Sequence, residues 1–267
     1  MTGDTDDKAV LAEMLTLPSE AYIAEQQPLV DVDAIHAARQ FVKQSLARTL
    51  RDEFLAVYQA NRDDSPYAPE PDQIAARSLK NVALSYLMSI EDEEGVELAQ
   101  QQFEAEHNMT DVRHALTLLT HSSRDDLADP ALKAFGRKWP MIRWSWTSGS
   151  ASRSRVPRRM PGAGQVPDGS SGLLADQSQQ GACLIGAFAQ NRVNFHRLDG
   201  EGYKLLADVV IELNRLNPEI AARMITPLTR WARYDETRQE LMKAELERIR
   251  AEDLSPNVYE VVEKALA

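Results

Sequence analysis

From Val32 to Arg62 apolar residues return at intervals of three and four: Ile35, Ala38, Val42, Leu46, Leu50, Phe54, Val57 and Tyr58. That spacing lays one apolar stripe along a helix. Asp63, Asp64, Ser65 and Pro66 close the segment. Ile74, Leu79, Val82, Tyr86, Leu87 and Ile90 mark a second helix, and a third runs from about Asp92 to Glu106. Thr110 is placed to cap a fourth, whose face holds Val112, Ala115, Leu116 and Leu119, and a short fifth follows Asp125. Farther on, Leu206, Val209, Leu213 and Leu216 resume the spacing. Asn217 with Pro218, and Ser255 with Pro256, read as caps followed by a proline at the first helical position. Ile220, Met224, Leu228 and Trp231 continue the first of these helices, with Pro227 bending it. Asp235 caps a helix holding Leu241, Leu246 and Ile249, and Tyr259, Val262 and Leu266 form the last stripe. No segment alternates with the period of a strand. The pattern predicts an all-α chain of about ten helices, stacked in pairs as a HEAT/armadillo-like α-solenoid. No clean sequence repeat accompanies it, so any repeat is structural.

One stretch breaks the pattern. In KWPMIRWSWTSGSASRSRVPRRMPGAGQ, residues 138–165, the apolar stripe vanishes and Arg, Ser, Gly and Pro take over. Residues 139–182 contain no Lys and no Glu, yet hold six of the twelve glycines. Such a mixture raises the entropy cost of ordering the segment, so residues 140–183 are expected to be disordered. The organisation expected is therefore residues 1–139 as one helical half, 140–183 as the interruption, and 184–267 as the closing helices.

The net charge is -11, which argues against a nucleic-acid partner, since phosphate binding needs a basic face. No apolar run approaches transmembrane length, and the acidic start MTGDTDDKAV has no signal-peptide core. These features point to a cytoplasmic protein with no membrane partner. The single cysteine, Cys183, excludes an intrachain disulfide and a CxxC metal site.

HExxH, GxSxG, the phosphate loop and GxGxxG are all absent. His107, His114 and His121 stand seven residues apart. On a continuous helix, neighbours at that spacing are about 10 Å apart, too far to share one metal ion. The acidic run Glu91 to Glu94 reads as a solvated helix start favoured by the helix dipole. Arg223 borders the stripe of Ile220, Met224, Pro227 and Trp231, so it is desolvated on one side, with its stem packed and its head reaching out to water.

Seven blocks, taken in order, resemble the C-terminal part of the bacterial aminopeptidase N family, zinc exopeptidases of the gluzincin type. They are EMLTLPSE (13–20), RSLKNVALSYL (77–87), NMTD (108–111), LIGAFAQN (184–191), NFHRLDGEGY (194–203), NPEIAARMITPLTRWARYD (217–235) and YEVVEKALA (259–267). The resemblance implies an all-helical domain that closes over a catalytic domain and lines the channel by which peptides reach the zinc. It makes Arg223 a candidate channel-lining residue. It also implies that the HExxH helix, its distant glutamate ligand and the GAMEN motif belong to a part outside this sequence. This chain alone is then expected to bind no zinc and to be inactive. Its partners would be peptides and its own catalytic domain. The alternative is a free-standing helical-repeat scaffold that binds another protein.

The odd stretch reads as out-of-frame translation. Back-translating MIRWSWTSGS from the third base of each codon permits DPLVMDKWF, which resembles what the family carries after the KW of Lys138 and Trp139. Starting SSGLLADQSQQGA at the second base permits HPAFSLTNPNKAR, which resembles the family's segment before LIGAFA. One lost base moves the codon start to position three, a second to position two, and a third restores the frame by Leu184. Cys183 sits at that last junction and is accidental on this reading.

Overall fold

The computed structural model describes residues 7–63, 65–105, 107–139, 186 and 188–267. The interruption at 140–183, with Cys183, lies outside the described residues. In chain order the helices are α1 (Lys8–Met14), α2 (Glu20–Glu25), α3 (Val32–Thr49), α4 (Arg51–Ala60), α5 (Pro71–Leu87), α6 (Glu93–Ala105), α7 (Met109–His121) and α8 (Asp125–Lys138). They continue as α9 (Arg192–Phe195), α10 (Glu201–Leu216), α11 (Pro218–Met224), α12 (Thr226–Thr229), a 3₁₀ turn (Trp231–Arg233), α13 (Glu236–Arg250) and α14 (Pro256–Leu266). Among the described residues the only extended pairing is an isolated parallel bridge between Val30 and Tyr234. The fold is all-α, as the spacing predicts.

The chain divides into two compact units, Met1–Glu20 with Ile35–Lys138, and Ala21–Ala34 with Trp139–Ala267. In the first, α1 and α4 pack on α5, and α7 lies between α6 and α8. Phe54 stacks on Tyr86 with ring centroids 4.3 Å apart. Leu84, Leu87, Leu116, Leu119 and Phe135 are also buried. Tyr86 reaches past this core to donate its hydroxyl hydrogen to the Leu15 carbonyl at 2.7 Å, tying the end of α1 to α5.

In the second unit, α10 packs on α11 and α13, and α14 on both. Its aromatic centre is Phe188, Phe195 and Tyr203, with Leu206, Leu213 and Ile225 around it. Gly202 makes this packing possible, because a Cβ there would sit 2.4 Å from the Phe195 carbonyl oxygen. Gly200 enters α10 with φ +71, the left-handed conformation that glycine adopts freely. The segment 21–34 joins this unit through Arg233. Its guanidinium donates to the carbonyls of Ala24 and Gln27, each at 2.9 Å, satisfying groups left open at the end of α2.

Several local expectations are corrected. The stripe from Val32 to Arg62 is two helices, not one, because Leu50 leaves helical geometry at φ -116, ψ 31. The turn aims Phe54 and Tyr58 into the core, while Ala38 and Val42 are left exposed. Asn108, not Thr110, caps α7, accepting from the Asp111 N–H at 2.9 Å. The fifth helix is not short, and α8 runs through Pro130 for 14 residues. Pro227 does not bend a continuous helix. The chain breaks into α11, α12 and the 3₁₀ turn, since proline both lacks a donor and clashes with the preceding turn. Ser255 holds the cap position of α14 without a side-chain cap bond. Asn214 Oδ1 takes the Ser255 N–H instead, at 3.0 Å. Ile74 and Tyr259, read as stripe residues, are 48% and 52% exposed.

Candidate functional site

Two ridges of the second unit face each other across a groove of about 650 Å3. One ridge carries Glu219, Ala222 and Arg223 of α11 with Thr226 and Thr229 of α12. The other carries Asn257, Val261, Lys264 and Ala265 of α14. The sequence builds each ridge by simple spacing. Val258 and Val262 turn into the core, so residues 257, 261 and 264 share a different face of α14. On the other side, Asn217 Oδ1 accepts from the Ile220 N–H at 3.2 Å and Pro218 fills the first helical position, which fixes where α11 begins. Trp231 ties the 3₁₀ turn to α14 by donating its indole N–H to the Ala265 carbonyl at 2.8 Å. The Lys243 ammonium lies 3.8 Å from the centre of that indole ring.

Arg223 therefore lies on a groove wall, but not in the environment expected from its place beside the stripe. Its side chain is 75% exposed and pairs with Glu219 one turn earlier. The desolvated reading fails because the chain breaks after Met224, and Ile225 and Leu228 supply the buried contacts instead. The Thr226 hydroxyl donates to the Arg223 carbonyl and that of Thr229 to the Thr226 carbonyl, which leaves their oxygens as acceptors toward the groove. The polar inventory is two cations, one carboxylate and one amide, suited to holding a peptide backbone or a carboxylate. It contains no nucleophile paired with a base.

The three spaced histidines are not brought together. His107 precedes α7, His114 sits half-buried with Nε2 3.0 Å from the Ser85 hydroxyl, and His121 bonds the Thr117 carbonyl at the end of α7. Burial pushes His114 down to about 4. Among the described residues no group of three or more His, Cys, Asp or Glu side chains is placed to hold a metal ion. A zinc site therefore does not fit these residues. The acidic run is the start of α6 as expected, with Glu93 and Glu94 exposed in its first turn; in addition Arg51 donates to Asp92 at 2.8 Å and to Glu94 at 2.5 Å, and Asp92 Oδ1 accepts from the Gly95 N–H. Glu91 accepts from the Ser123 backbone and hydroxyl.

Sequence reasoning passed over three features. Lys264 and Asn257 are two, although their spacing on α14 was a usable signal. The third is a pair of buried polar clusters that draw part of their residues from the RSLKNVALSYL, NMTD and NFHRLDGEGY blocks. In the first unit, Lys80 donates to Asp111 at 2.6 Å, with side chains 9% and 5% exposed. Asn81 and Asn108 also donate to that carboxylate, and Gln102 bridges to Asn81. In the second unit, Arg238 donates to Asp33, Asp235 and the His196 carbonyl, each at 2.7 Å. His196 is hydrogen-bonded to the Tyr203 hydroxyl and stacked on Tyr234. Burial, then the Arg192 and Arg238 charges, push its imidazole down to about 3. Both clusters tie helices together, and the first also borders a small pocket of about 40 Å3, which Lys80, Gln102 and Asp111 line together with Tyr58 and Arg62.

The family model described as a domain of unknown function, DUF3458_C, with ARM repeats, matches residues 1–145 and 182–267. It passes over residues 146–181, within the stretch that reads as out of frame. The chain is 36% identical over 268 residues to aminopeptidase N of Escherichia coli strain K12, which covers 98% of this chain and 30% of that protein. It is also 36% identical over 263 residues to aminopeptidase N of Haemophilus influenzae, covering 95% and 29%. The crystal structure of Legionella pneumophila aminopeptidase A in complex with aspartic acid superposes with a TM-score of 0.82 at 28% identity, over 99% of this chain and 32% of that one. The chain thus spans about a third or less of the length of the proteins it matches.

Proposed function

The chain belongs to the family of ARM-repeat domains described as DUF3458_C, and from that premise we propose that it is the peptide-channel portion of a zinc-dependent aminopeptidase N. The observation that carries this is the match of 98% of the chain to 30% of an aminopeptidase N. The intact enzyme would remove N-terminal residues from peptides. This portion would cap the catalytic domain and line the approach to it. Zinc, HExxH and GAMEN would come from the part of the relatives that this chain does not match. The described residues hold no donor set for the metal, so no catalytic step is assigned to them. A cytoplasmic location belongs to the same proposal and is supported by a single cysteine among 267 residues. Among the described residues no helix is long and apolar enough to cross a membrane.

Within this reading Arg223 contacts carboxylate or carbonyl groups of the passing peptide, supported by its exposed head on the groove wall. The free-standing scaffold is set aside because the chain matches stretches of much longer aminopeptidases. Two experiments test the proposal. The purified chain should not cleave an alanyl chromogenic substrate. Chelator-sensitive cleavage would contradict it. In a frame-restored, full-length enzyme, Arg223→Ala should raise KM on tripeptides, whereas unchanged kinetics would leave the residue a purely structural role.

A further inference from the structure

The two cations of the groove are not equivalent. Arg223 is already paired with Glu219 on its own helix. Lys264 stands on the opposite ridge with an exposed side chain, and among the described residues it makes neither an ion pair nor a hydrogen bond. It lies in the last turn of α14, where the helix end contributes only a partial negative charge. Asn257 lies two turns earlier on the same face, also exposed and without a hydrogen-bond partner among the described residues.

We infer that Lys264 is the residue of the groove that takes the terminal carboxylate of a bound peptide, while Asn257 engages the backbone upstream and Arg223 serves peptide carbonyls. The inference rests on reading the groove as part of a peptide channel. Lys264 lies seven positions after Asn257 on the helix, a rise of about 10 Å, which matches about three residues of extended peptide. An asparagine amide offers one acceptor and two donors, the complement of a peptide bond. An ammonium is a compact point charge that receives a carboxylate without demanding one orientation. Glu219 then has a defined part. By neutralising Arg223 it leaves the net positive charge of the groove at Lys264, which sets where a peptide's terminus comes to rest.

The test is an NMR titration of the 15N-labelled chain with trialanine and with trialanine amide at pH 7. In the unaltered chain the amide signals of residues 257, 261 and 264 should shift. The acid should bind roughly two- to five-fold more tightly than the amide, the upper part of the range for an exposed ion pair. Lys264→Gln should bring that ratio to about one. Arg223→Gln should weaken both ligands and leave the ratio in place. A ratio that survives Lys264→Gln and vanishes in Arg223→Gln would overturn the assignment, as would a ratio of one in the unaltered chain, and neither outcome would touch the peptide-channel reading. Failure of both peptides to shift any groove signal would overturn that reading and this inference with it.

Discussion

Asp111→Ala should be among the most damaging single changes available in the first unit. The carboxylate is 5% exposed and receives Lys80 at 2.6 Å. Asn81 donates to it at 3.0 Å and Asn108 at 2.9 Å. Removing it strands a Lys80 side chain that is only 9% exposed, and it frees two amides. Breaking a buried pair from one side costs about 3–5 kcal/mol, because the remaining charge loses both its partner and its water. A domain has about 5–15 kcal/mol in total, so about a fifth or more of the stability goes. Removing both charges behaves differently. Lys80→Met with Asp111→Leu eliminates the desolvation penalty together with the attraction, and should recover most of the loss. Urea titration followed by far-UV circular dichroism gives the free energies, and amide exchange in α5 and α7 locates the effect. A loss below about 1 kcal/mol for Asp111→Ala, or a double variant no better than the single one, would refute the reasoning.

Three further outcomes follow from the second unit. Gly202→Ala places a methyl group 2.4 Å from the Phe195 carbonyl oxygen; a loss of about 3 kcal/mol or more is expected by thermal melting, and a neutral result would show that α9 moves freely. Arg238→Met leaves Asp33, Asp235 and the His196 carbonyl without their donor; because both carboxylates are partly exposed, the cost should be about 2–4 kcal/mol, measured the same way. His196 is held near 3 and His114 near 4 when folded. The unfolded chain therefore takes up protons first, and stability from these groups is whole above about pH 6.5 and falls as the pH drops toward 4. For His196 the slope is roughly 1.4 kcal/mol per pH unit, and His196→Gln should flatten acid unfolding in that range. An unchanged slope would contradict the buried, neutral imidazole.

The helical class was legible because apolar spacing registers which face each helix buries. Leu206, Leu213, Leu246 and Val262 are all within the core as their stripes require. The breaks were not legible. Leu50 carries no proline or glycine signal, and the residue whose packing accompanies its turn, Phe54, meets its partner Tyr86 only in the folded chain. Nor does spacing show that residues 21–34 join the C-terminal unit, since that depends on Arg233 reaching carbonyls about two hundred positions away. The candidate site was half legible. Arg223 lies on the groove wall, but its exposure and its Glu219 partner follow from a chain break that the proline alone did not locate. Lys264 needed the opposite ridge to be in place before its charge had a meaning.

The central claim, that this chain is one portion of an aminopeptidase N interrupted by displaced codons, is tested most directly by the nucleotide sequence across codons 139–184. Translated from the third base after Trp139, it should give a string close to DPLVMDKWF. Translated from the second base after about Ser170, it should give one close to HPAFSLTNPNKAR and run into Leu184. Stop codons in those displaced frames, or strings unlike the aminopeptidase N relatives, would contradict the account and make residues 140–183 a genuine part of this protein.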